Sequence, residues 1–324
     1  MFTVEELNHI VRETVETLKL EDDPQNLYLP IKHILSNGGK RIRPMLTLAA
    51  CNLFSDNIDA AINPAIAVEV FHNFTLVHDD IMDNADIRRG VVTVHKKWNN
   101  NTAILSGDAM MVLAYELLAK TSPNFLPQVL AAFNELALGV CKGQQYDMDF
   151  ELMPCISRHE YLKMTELKTS VLLKGALKIG AIIGGANSDD IECLGEYGIN
   201  LGIAFQLQDD LLDAYGNTSL FGKKIGGDIM AQKKTILTIE TQALLNVKER
   251  AEFDKIMQDT ALVPIEKVPQ IIKFYDKVNA KRVVEKMIDS YFIRANRALN
   301  KLKIPTEKKE LLMAFTAQIV DRKY

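Results

Sequence analysis

The feature that most constrains this 324-residue chain is an acidic pattern that occurs twice. The D-D-x-x-D motif is formed first by Asp79, Asp80 and Asp83, and later by Asp209, Asp210 and Asp213. Each copy follows an apolar run with helical spacing, so the first and last carboxylates of a motif share one face of a helix. Two unpaired carboxylates placed in this way repel each other, whereas a bound Mg²⁺ would use both as oxygen ligands. A single acidic cluster is usually a solvated helix end, but two copies in the same context favour a metal-binding role.

Cationic side chains accompany both motifs. Arg88 and Arg89 follow the first motif, and the glycine-flanked segment 38–44, GGKRIRP, precedes an apolar helix. The second motif is followed by Lys223, Lys224, Lys233 and Lys234. Guanidinium and ammonium groups suit phosphate oxygens. Carboxylates for a metal ion and cations for phosphate together indicate a diphosphate ester held through Mg²⁺.

Composition excludes several other classes. The chain is 48% apolar and 25% charged, which is ordinary for a globular protein. A net charge of −4 gives no support for nucleic-acid binding. No CxxC pair or metal-ligand spacing connects Cys51, Cys141, Cys155 and Cys193, so we expect reduced thiols in a cytoplasmic protein. No apolar run is long enough to predict a transmembrane segment, and the first residues lack the pattern of a signal peptide.

Helical periodicity extends through most of the chain, and the linkers are short. Val91–His95, VVTVH, is the only strand-like run, and Pro64 is predicted to open the helix that carries the first motif. We therefore predict one all-α domain over residues 1–324, a helical bundle with its cavity between helices. Taken alone, three chemically suggestive residues have simpler interpretations: His72 as a packed core residue, Asp108 as a capping carboxylate and Lys168 as a solvated lysine.

Six motifs in order resemble one known family. They are GGKRIRP at 38–44, LVHDDIMDNADIRRG at 76–90, GQQYD at 143–147, LKTS at 167–170, FQLQDDLLD at 205–213 and GKKIGGDI…KKT within 222–235. In this order the chain resembles the trans-isoprenyl diphosphate synthases of the polyprenyl synthetase family over nearly its whole length. The resemblance implies an all-α fold of the isoprenoid synthase type, usually a homodimer. It also implies head-to-tail, 1′-4 condensation of an allylic diphosphate with isopentenyl diphosphate.

The resemblance also implies site residues. Mg²⁺, three ions with substrate bound, would be held by Asp79, Asp83, Asp209 and Asp213, with Asp147 as a further candidate and Asp80 and Asp210 assisting. The allylic diphosphate would contact Arg88, Lys168, Thr169, Gln206, Lys223 or Lys224, and Lys233. Isopentenyl diphosphate would contact Lys40, Arg43, His72 and Arg89. The departing diphosphate is the usual candidate base, so no protein residue is assigned to the final proton loss.

Product length in this family depends on side chains that precede the first motif. Phe71, Phe74 and Thr75 lie eight, five and four residues before Asp79. A phenylalanine only at the fifth position before an uninserted DDxxD resembles geranylgeranyl-type members, so we predict a C20 product with C15 as the close alternative. If both phenylalanines are ordinary core residues, the channel would accommodate a longer chain.

Three other classes of protein remain as alternatives. A class I terpene cyclase normally lacks GGKRxRP, and a non-catalytic partner subunit typically loses an aspartate motif. A Mg²⁺-dependent phosphohydrolase would more often have an α/β fold. The preferred starter, dimethylallyl, geranyl or farnesyl diphosphate, is open, as is whether Arg322 and Lys323 close over the diphosphates or lie in solvent.

Overall fold

The computed structural model describes residues 2–216 and 225–320, with side chains described as far as residue 317. Lys223, Lys224, Arg322 and Lys323, which the sequence singled out, lie outside the described residues. In the described part, the regular secondary structure is helical apart from one short two-stranded hairpin, so the all-α prediction is confirmed.

The helices follow the periodic segments of the sequence. The first group is α1 (Val4–Glu16), α2 (Gln25–Ser36), α3 (Ile42–Asn52), α4 (Asp59–Met82), α5 (Val94–Lys97), α6 (Asn100–Ala119) and α7 (Leu126–Leu152). Next come α8 (Arg158–Thr165), a π-helical turn (Glu166–Ser170), α9 (Val171–Gly184) and α10 (Ser188–Tyr215). The last group is α11 (Gly227–Met230), α12 (Ile236–Leu244), α13 (Val247–Gln258), α14 (Pro264–Lys277), α15 (Ala280–Lys301) and α16 (Thr306–Val320).

Contacts along the chain define two compact units. Unit 1 is built from described residues of Met1–Ala137, Leu172–Gly195 and Lys301–Leu312. Unit 2 is built from described residues of Leu138–Val171, Glu196–Asn300 and Met313–Tyr324. The first aspartate motif belongs to unit 1 and the second to unit 2. The assignment of residues 1–324 to one domain stays a prediction.

Helix α4 is the core of unit 1. Every residue from 64 to 73 is buried, which is expected of a helix that is apolar on all sides. Pro64 lies inside this helix, which begins at Asp59, so the prediction that Pro64 opens it was wrong. As the sixth residue of the helix, this proline lacks the backbone N–H that would bond to the preceding turn. Burial decreases toward Asp83, where α4 ends at the surface.

A hairpin follows α4 and orients the two arginines of the first motif region. Strand β1 (Ile87–Arg88) pairs antiparallel with β2 (Val91–Val92). The two turn residues, Arg89 and Gly90, have φ values of 53° and 79°. Positive φ at both positions is typical of a tight two-residue hairpin turn. The strand prediction for Val91–His95 was therefore right only for its first two residues, because the backbone turns into α5 at Val94.

In unit 2, a π-helical turn follows directly after α8. Helix α8 begins with a capping box, in which Ser157 and Glu160 satisfy each other's backbone N–H groups. The turn at residues 166–170 then displaces the register by one residue before α9 begins. Such turns are frequent at functional sites, and this one contains Lys168 and Thr169.

Two helices, α4 and α6, are long and apolar enough to cross a membrane by length and composition. The apolar window of α4 is 67% buried inside the protein and that of α6 is 39% buried. The burial of α4 is typical of a core helix. The prediction that the chain has no transmembrane segment stays a prediction.

Candidate active site

The three carboxylates of the first motif have different surroundings. Asp79 is half-buried in the last turn of α4, and Asp83 is exposed at the end of the helix. Both belong to the same helical face, which is the arrangement in which one cation can be bound by both carboxylates. Asp80 is only 1% exposed and therefore turns into unit 1.

Asp80 holds Arg88. Arg88 Nε donates to Asp80 Oδ1 at 2.7 Å, and Arg88 Nη2 lies 2.6 Å from the same oxygen. A guanidinium that is fixed by a buried carboxylate loses fewer rotamers when it binds a second anion. The predicted diphosphate contact at Arg88 is therefore oriented before any substrate arrives.

Arg89 joins the hairpin to the glycine-rich loop before α3. Arg89 Nη1 donates to the Gly38 carbonyl oxygen at 2.6 Å. A Cβ placed on Gly39 would lie 2.7 Å from Arg89 Nη1, so only glycine permits this approach. Lys40 is exposed beside these residues along the loop, and Arg43 lies in the first turn of α3. The structure thus brings the loop and Arg89 together, as the predicted isopentenyl diphosphate site requires.

His72 lies in the buried part of α4 near the same arginines. Burial lowers the pKa of His72 well below its usual range, and Arg43, Arg89 and Arg88 lower it further. The imidazole is therefore neutral, and its surroundings already carry several positive charges. A neutral histidine in this position offers a hydrogen bond to an anion without a further charge.

Glu69 was not recognised as a site residue from the sequence. Its carboxylate is buried and accepts a hydrogen bond from Asn73 Nδ2 at 3.1 Å. Burial raises the pKa of Glu69, while Arg43, Asn73, Arg89 and Arg41 oppose that rise. The sequence signal that could have identified Glu69 is its position as a charged residue in a largely apolar run, one turn before His72.

The predicted chain-length residues lie at different depths. Phe71 is fully buried, with its ring 5.5 Å from that of Phe74 and 5.3 Å from that of Phe133. Phe74 and Thr75 are half-buried, and Thr75 Oγ1 donates to the His72 carbonyl oxygen at 2.7 Å. Phe71 is therefore a core residue behind Phe74, and Phe74 is the residue of the pair that extends outward.

Unit 2 contains a second set of polar side chains. Lys168 Nζ lies 2.6 Å from Asp147 Oδ2, and Thr169 Oγ1 donates to Gln206 Oε1 at 3.2 Å. A Cβ on Gly143 would lie 2.2 Å from the Lys168 backbone nitrogen. Helix α7 and the π-helical turn therefore touch through their backbones, which sets the position of Lys168.

The buried aspartate of the second motif has its own set of donors. Asp210 is 4% exposed and accepts hydrogen bonds from Tyr161 Oη at 2.7 Å, the Ile236 backbone N–H at 3.1 Å and Gln206 Nε2 at 3.1 Å. Burial and the nearby Asp228 raise the pKa of Asp210 to about 7, although these three donors lower it. Tyr161 was missed from the sequence, because a tyrosine two turns before Lys168 has no distinguishing signal.

The outer aspartates of the second motif also differ from each other. Asp209 and Asp213 are both half-buried in α10. Asp213 Oδ2 accepts the backbone N–H of Asp228 at 3.0 Å, at the start of α11. Part of the Asp213 carboxylate is therefore already used in capping the start of α11.

Mg²⁺ fits these donor sets. Within residues 2–216 and 225–320, no group of three or more metal-ligating side chains is preassembled. Mg²⁺ in proteins is usually bound by one or two carboxylates together with waters and substrate phosphates. The pair formed by Asp79 and Asp83, and Asp209 in unit 2, supply hard oxygen donors in that number.

A cavity in unit 2 collects the predicted allylic-diphosphate contacts. Its lining includes Asp147, Lys168, Thr169, Gln206, Asp210 and Lys233. Lys234 also lines it, but its Nζ donates to the Glu151 carbonyl oxygen at 3.2 Å. All described members of the predicted allylic site except Arg88, which belongs to unit 1, therefore lie around one cavity.

These features define an all-α protein with two DDxxD helices, each beside its own set of cationic and polar side chains. Comparisons with known proteins agree. The polyprenyl synthetase family model matches residues 24–275. Geranylgeranyl diphosphate synthase of Methanosarcina mazei is 35% identical over 303 residues, covering 93% of this chain and 91% of that protein. Geranylfarnesyl diphosphate synthase of Natronomonas pharaonis is 36% identical over 259 residues, covering 74% and 75%.

A solved structure is similar over its whole length. The crystal structure of a geranylgeranyl pyrophosphate synthase has a TM-score of 0.94 and 42% sequence identity, with 100% of both chains covered. The chain therefore belongs to the polyprenyl synthetase family. It is a trans-prenyltransferase with the isoprenoid synthase fold.

Proposed function

We propose that this enzyme condenses an allylic diphosphate with isopentenyl diphosphate and releases a C20 all-trans prenyl diphosphate. The observation that carries the proposal is that each aspartate motif lies beside its own set of cationic and polar side chains of the type that binds phosphate. In unit 1 these are Arg88, Arg89 and the loop at 38–43, and in unit 2 they line the cavity around Lys168. These side chains would bind both substrates through their diphosphate groups.

The proposed roles follow from charge and position. Arg88, Lys168 and Lys233 would neutralise the allylic diphosphate as its C–O bond breaks, while Thr169 and Gln206 orient it. Lys40, Arg43, His72 and Arg89 would hold isopentenyl diphosphate. Asp79, Asp83 and Asp209 would hold Mg²⁺, which when bound acts as a Lewis acid on the diphosphate. An apolar cavity would protect the allylic cation from water.

The C20 assignment rests on relatives and on Phe74. One of the relatives above is named for a geranylgeranyl product and another for a geranylfarnesyl product. Phe74 is half-buried in front of the fully buried Phe71, so its ring is suited to end a channel. We propose Phe74 as the floor that stops elongation, with C15 as the next candidate.

The test is a product assay. Purified enzyme is incubated with Mg²⁺, labelled isopentenyl diphosphate and, separately, dimethylallyl, geranyl or farnesyl diphosphate, and the dephosphorylated products are separated by length. We expect a main C20 alcohol, and a loss of condensation in Asp79→Ala and Asp209→Ala. Asp56→Ala, which removes a carboxylate that is 92% exposed, is the control and should behave as wild type. A main product of another length would overturn the C20 assignment, and normal turnover in Asp79→Ala would overturn the metal role.

We further propose that a second copy of this chain covers one face of α6. The exposed apolar side chains on this face are Ile104, Leu105, Val112 and Tyr115, and Leu105 and Val112 are 61% and 60% exposed. An apolar row of this kind marks an interaction site. Light scattering should give twice the 36.4 kDa of one chain, and Leu105→Glu with Val112→Glu should halve the mass. Val247→Glu, at an apolar residue that is 89% exposed in unit 2, should leave the mass unchanged.

We also propose a cytoplasmic location, supported by four cysteines that all remain free thiols. Cell fractionation with a periplasmic or extracellular marker tests this.

A further inference from the structure

The ring of His78 lies between helix α6 and the ring of Phe74. The centroids of the His78 and Phe74 rings are 4.7 Å apart, in an edge-to-face arrangement. On its other side, His78 Nε2 donates to the Ile104 carbonyl oxygen of α6 at 3.3 Å. The imidazole is therefore held between the backbone of one helix and an aromatic side chain of another.

Gly107 provides the space for this imidazole. A Cβ placed on Gly107 would lie 2.3 Å from His78 Nε2 and 2.7 Å from Cδ2, well under the 3.0 Å that real Cβ atoms keep. Histidine has only two side-chain torsions, so its ring has few ways to avoid such a contact. Any larger residue at 107 would therefore displace the ring.

Phe74 depends on His78 for one of its two aromatic contacts. The other is Phe71, 5.5 Å away, which is fully buried against Phe133. The position of Phe71 is fixed by the core, whereas His78 is 21% exposed and lies beside Asp79 at the end of the buried part of α4. Among the aromatic rings of the described residues, His78 is the one that contacts the side of Phe74 toward the aspartate motif.

We propose that His78, seated on Gly107, is a specificity-determining residue that fixes Phe74 and so sets product length. This inference rests on the proposed function, because it requires that Phe74 ends the channel. Removal of the His78 ring would let Phe74 turn into the vacated space and deepen the channel. A methyl group at position 107 would press the His78 ring toward Phe74, and the channel would become shorter.

The experiment compares product ratios within one reaction, so that a general loss of turnover does not affect the readout. In His78→Ala, the ratio of products one isoprene unit longer than the wild-type product should rise about tenfold, which is the size expected of one apolar contact. His78→Phe keeps a ring but loses the hydrogen bond to α6, and it should retain the wild-type ratio. Gly107→Ala should shift the ratio toward shorter products, and this shift should disappear in the His78→Ala background.

Two controls separate this proposal from the one on which it rests. Gly195→Ala is a matched glycine substitution in a helix of unit 1, where a Cβ would meet side-chain atoms only at 3.4 Å or beyond, and it should leave the products unchanged. Phe74→Ala tests the floor itself. If Phe74→Ala lengthens the product and His78→Ala does not, the supporting role of His78 is overturned. If neither variant changes the product, Phe74 does not end the channel, and the proposed role of His78 is overturned with it. A long product from His78→Phe would mean that the hydrogen bond, rather than the ring, carries the effect, and would also overturn the proposal.

Discussion

Asp80 and Arg88 form an ion pair in which the middle carboxylate of the first aspartate motif is almost fully buried, whereas Asp79 and Asp83, the predicted metal ligands, are half-buried and exposed. Asp210, the middle carboxylate of the second motif, is likewise buried and bound to Tyr161, Gln206 and the Ile236 backbone. In each motif, the middle aspartate is hydrogen-bonded to a side chain of the predicted allylic-diphosphate site, Arg88 in the first motif and Gln206 in the second. The two motifs therefore share a buried, hydrogen-bonded middle aspartate as well as a spacing.

We predict that Asp80→Asn mainly weakens binding of the allylic diphosphate. The substitution keeps the shape of the side chain but removes the charge that orients Arg88. The KM for the allylic substrate should rise about tenfold, equivalent to ~1.4 kcal/mol of lost binding, while kcat falls less. Steady-state kinetics with each substrate varied in turn measure this.

Asp79→Asn is the comparison, since it changes the neighbouring carboxylate that we assign to the metal. That variant should lower kcat strongly. Equal kinetic profiles for the two variants would contradict the division of roles between Asp79 and Asp80.

A second prediction concerns Tyr161. Tyr161→Phe removes one of three donors to the buried Asp210, which costs about 1–3 kcal/mol of unfolding free energy when the acceptor stays buried. Because Gln206 binds both Asp210 and Thr169, the KM for the allylic substrate should also rise, with the KM for isopentenyl diphosphate unchanged. Urea unfolding and steady-state kinetics give the two values.

Tyr197→Phe is the matched control for that variant. Tyr197 is also fully buried in unit 2, with its hydroxyl 2.7 Å from Thr316 Oγ1. The Tyr197→Phe variant should lose a similar unfolding free energy without any change in the KM of either substrate. If Tyr161→Phe alters stability alone, Tyr161 does not position the diphosphate contacts.

Sequence patterns were sufficient for the fold class and for the chemical types of the site residues. Apolar periodicity predicts the helices, and paired motifs predict carboxylates beside cations. The patterns could not assign separate roles to Asp79 and Asp80, because adjacent aspartates look alike until one is buried by the rest of the fold. The sequence patterns also did not predict the π-helical turn at Lys168. This turn packs against the backbone of Gly143, and such a contact between distant parts of the chain leaves no local pattern.

His72 leads to a prediction of pH dependence. Burial and neighbouring arginines lower its pKa in the folded protein well below the ordinary value of 6.5. Below pH 6.5 the unfolded chain therefore takes up a proton at His72 that the folded protein does not, and stability decreases as the pH falls. The contribution of His72 to the free energy of unfolding is constant above pH 6.5, and it decreases below that value by up to about 1.4 kcal/mol per pH unit.

Replacement of His72 by glutamine should flatten this part of the stability profile. Urea unfolding at a series of pH values between 7.5 and 5 gives the slopes of both proteins. His9→Gln, which removes a 79% exposed imidazole in α1, controls for loss of a histidine elsewhere. An unchanged slope in His72→Gln would mean that the imidazole is not held neutral.

The last prediction tests the contact between α7 and the π-helical turn. Gly143 lies within α7, where alanine would ordinarily favour the helix by about 1 kcal/mol. Because an added Cβ would lie 2.2 Å from the Lys168 nitrogen and 2.5 Å from its Cα, Gly143→Ala must instead move the turn. A displacement of catalytic groups by about 1 Å reduces rates by about a hundredfold. We therefore expect kcat/KM for the allylic substrate to fall by that order, while Gly195→Ala, with no such contact, keeps wild-type kinetics. A fully active Gly143→Ala enzyme would show that the position of Lys168 does not depend on this backbone contact.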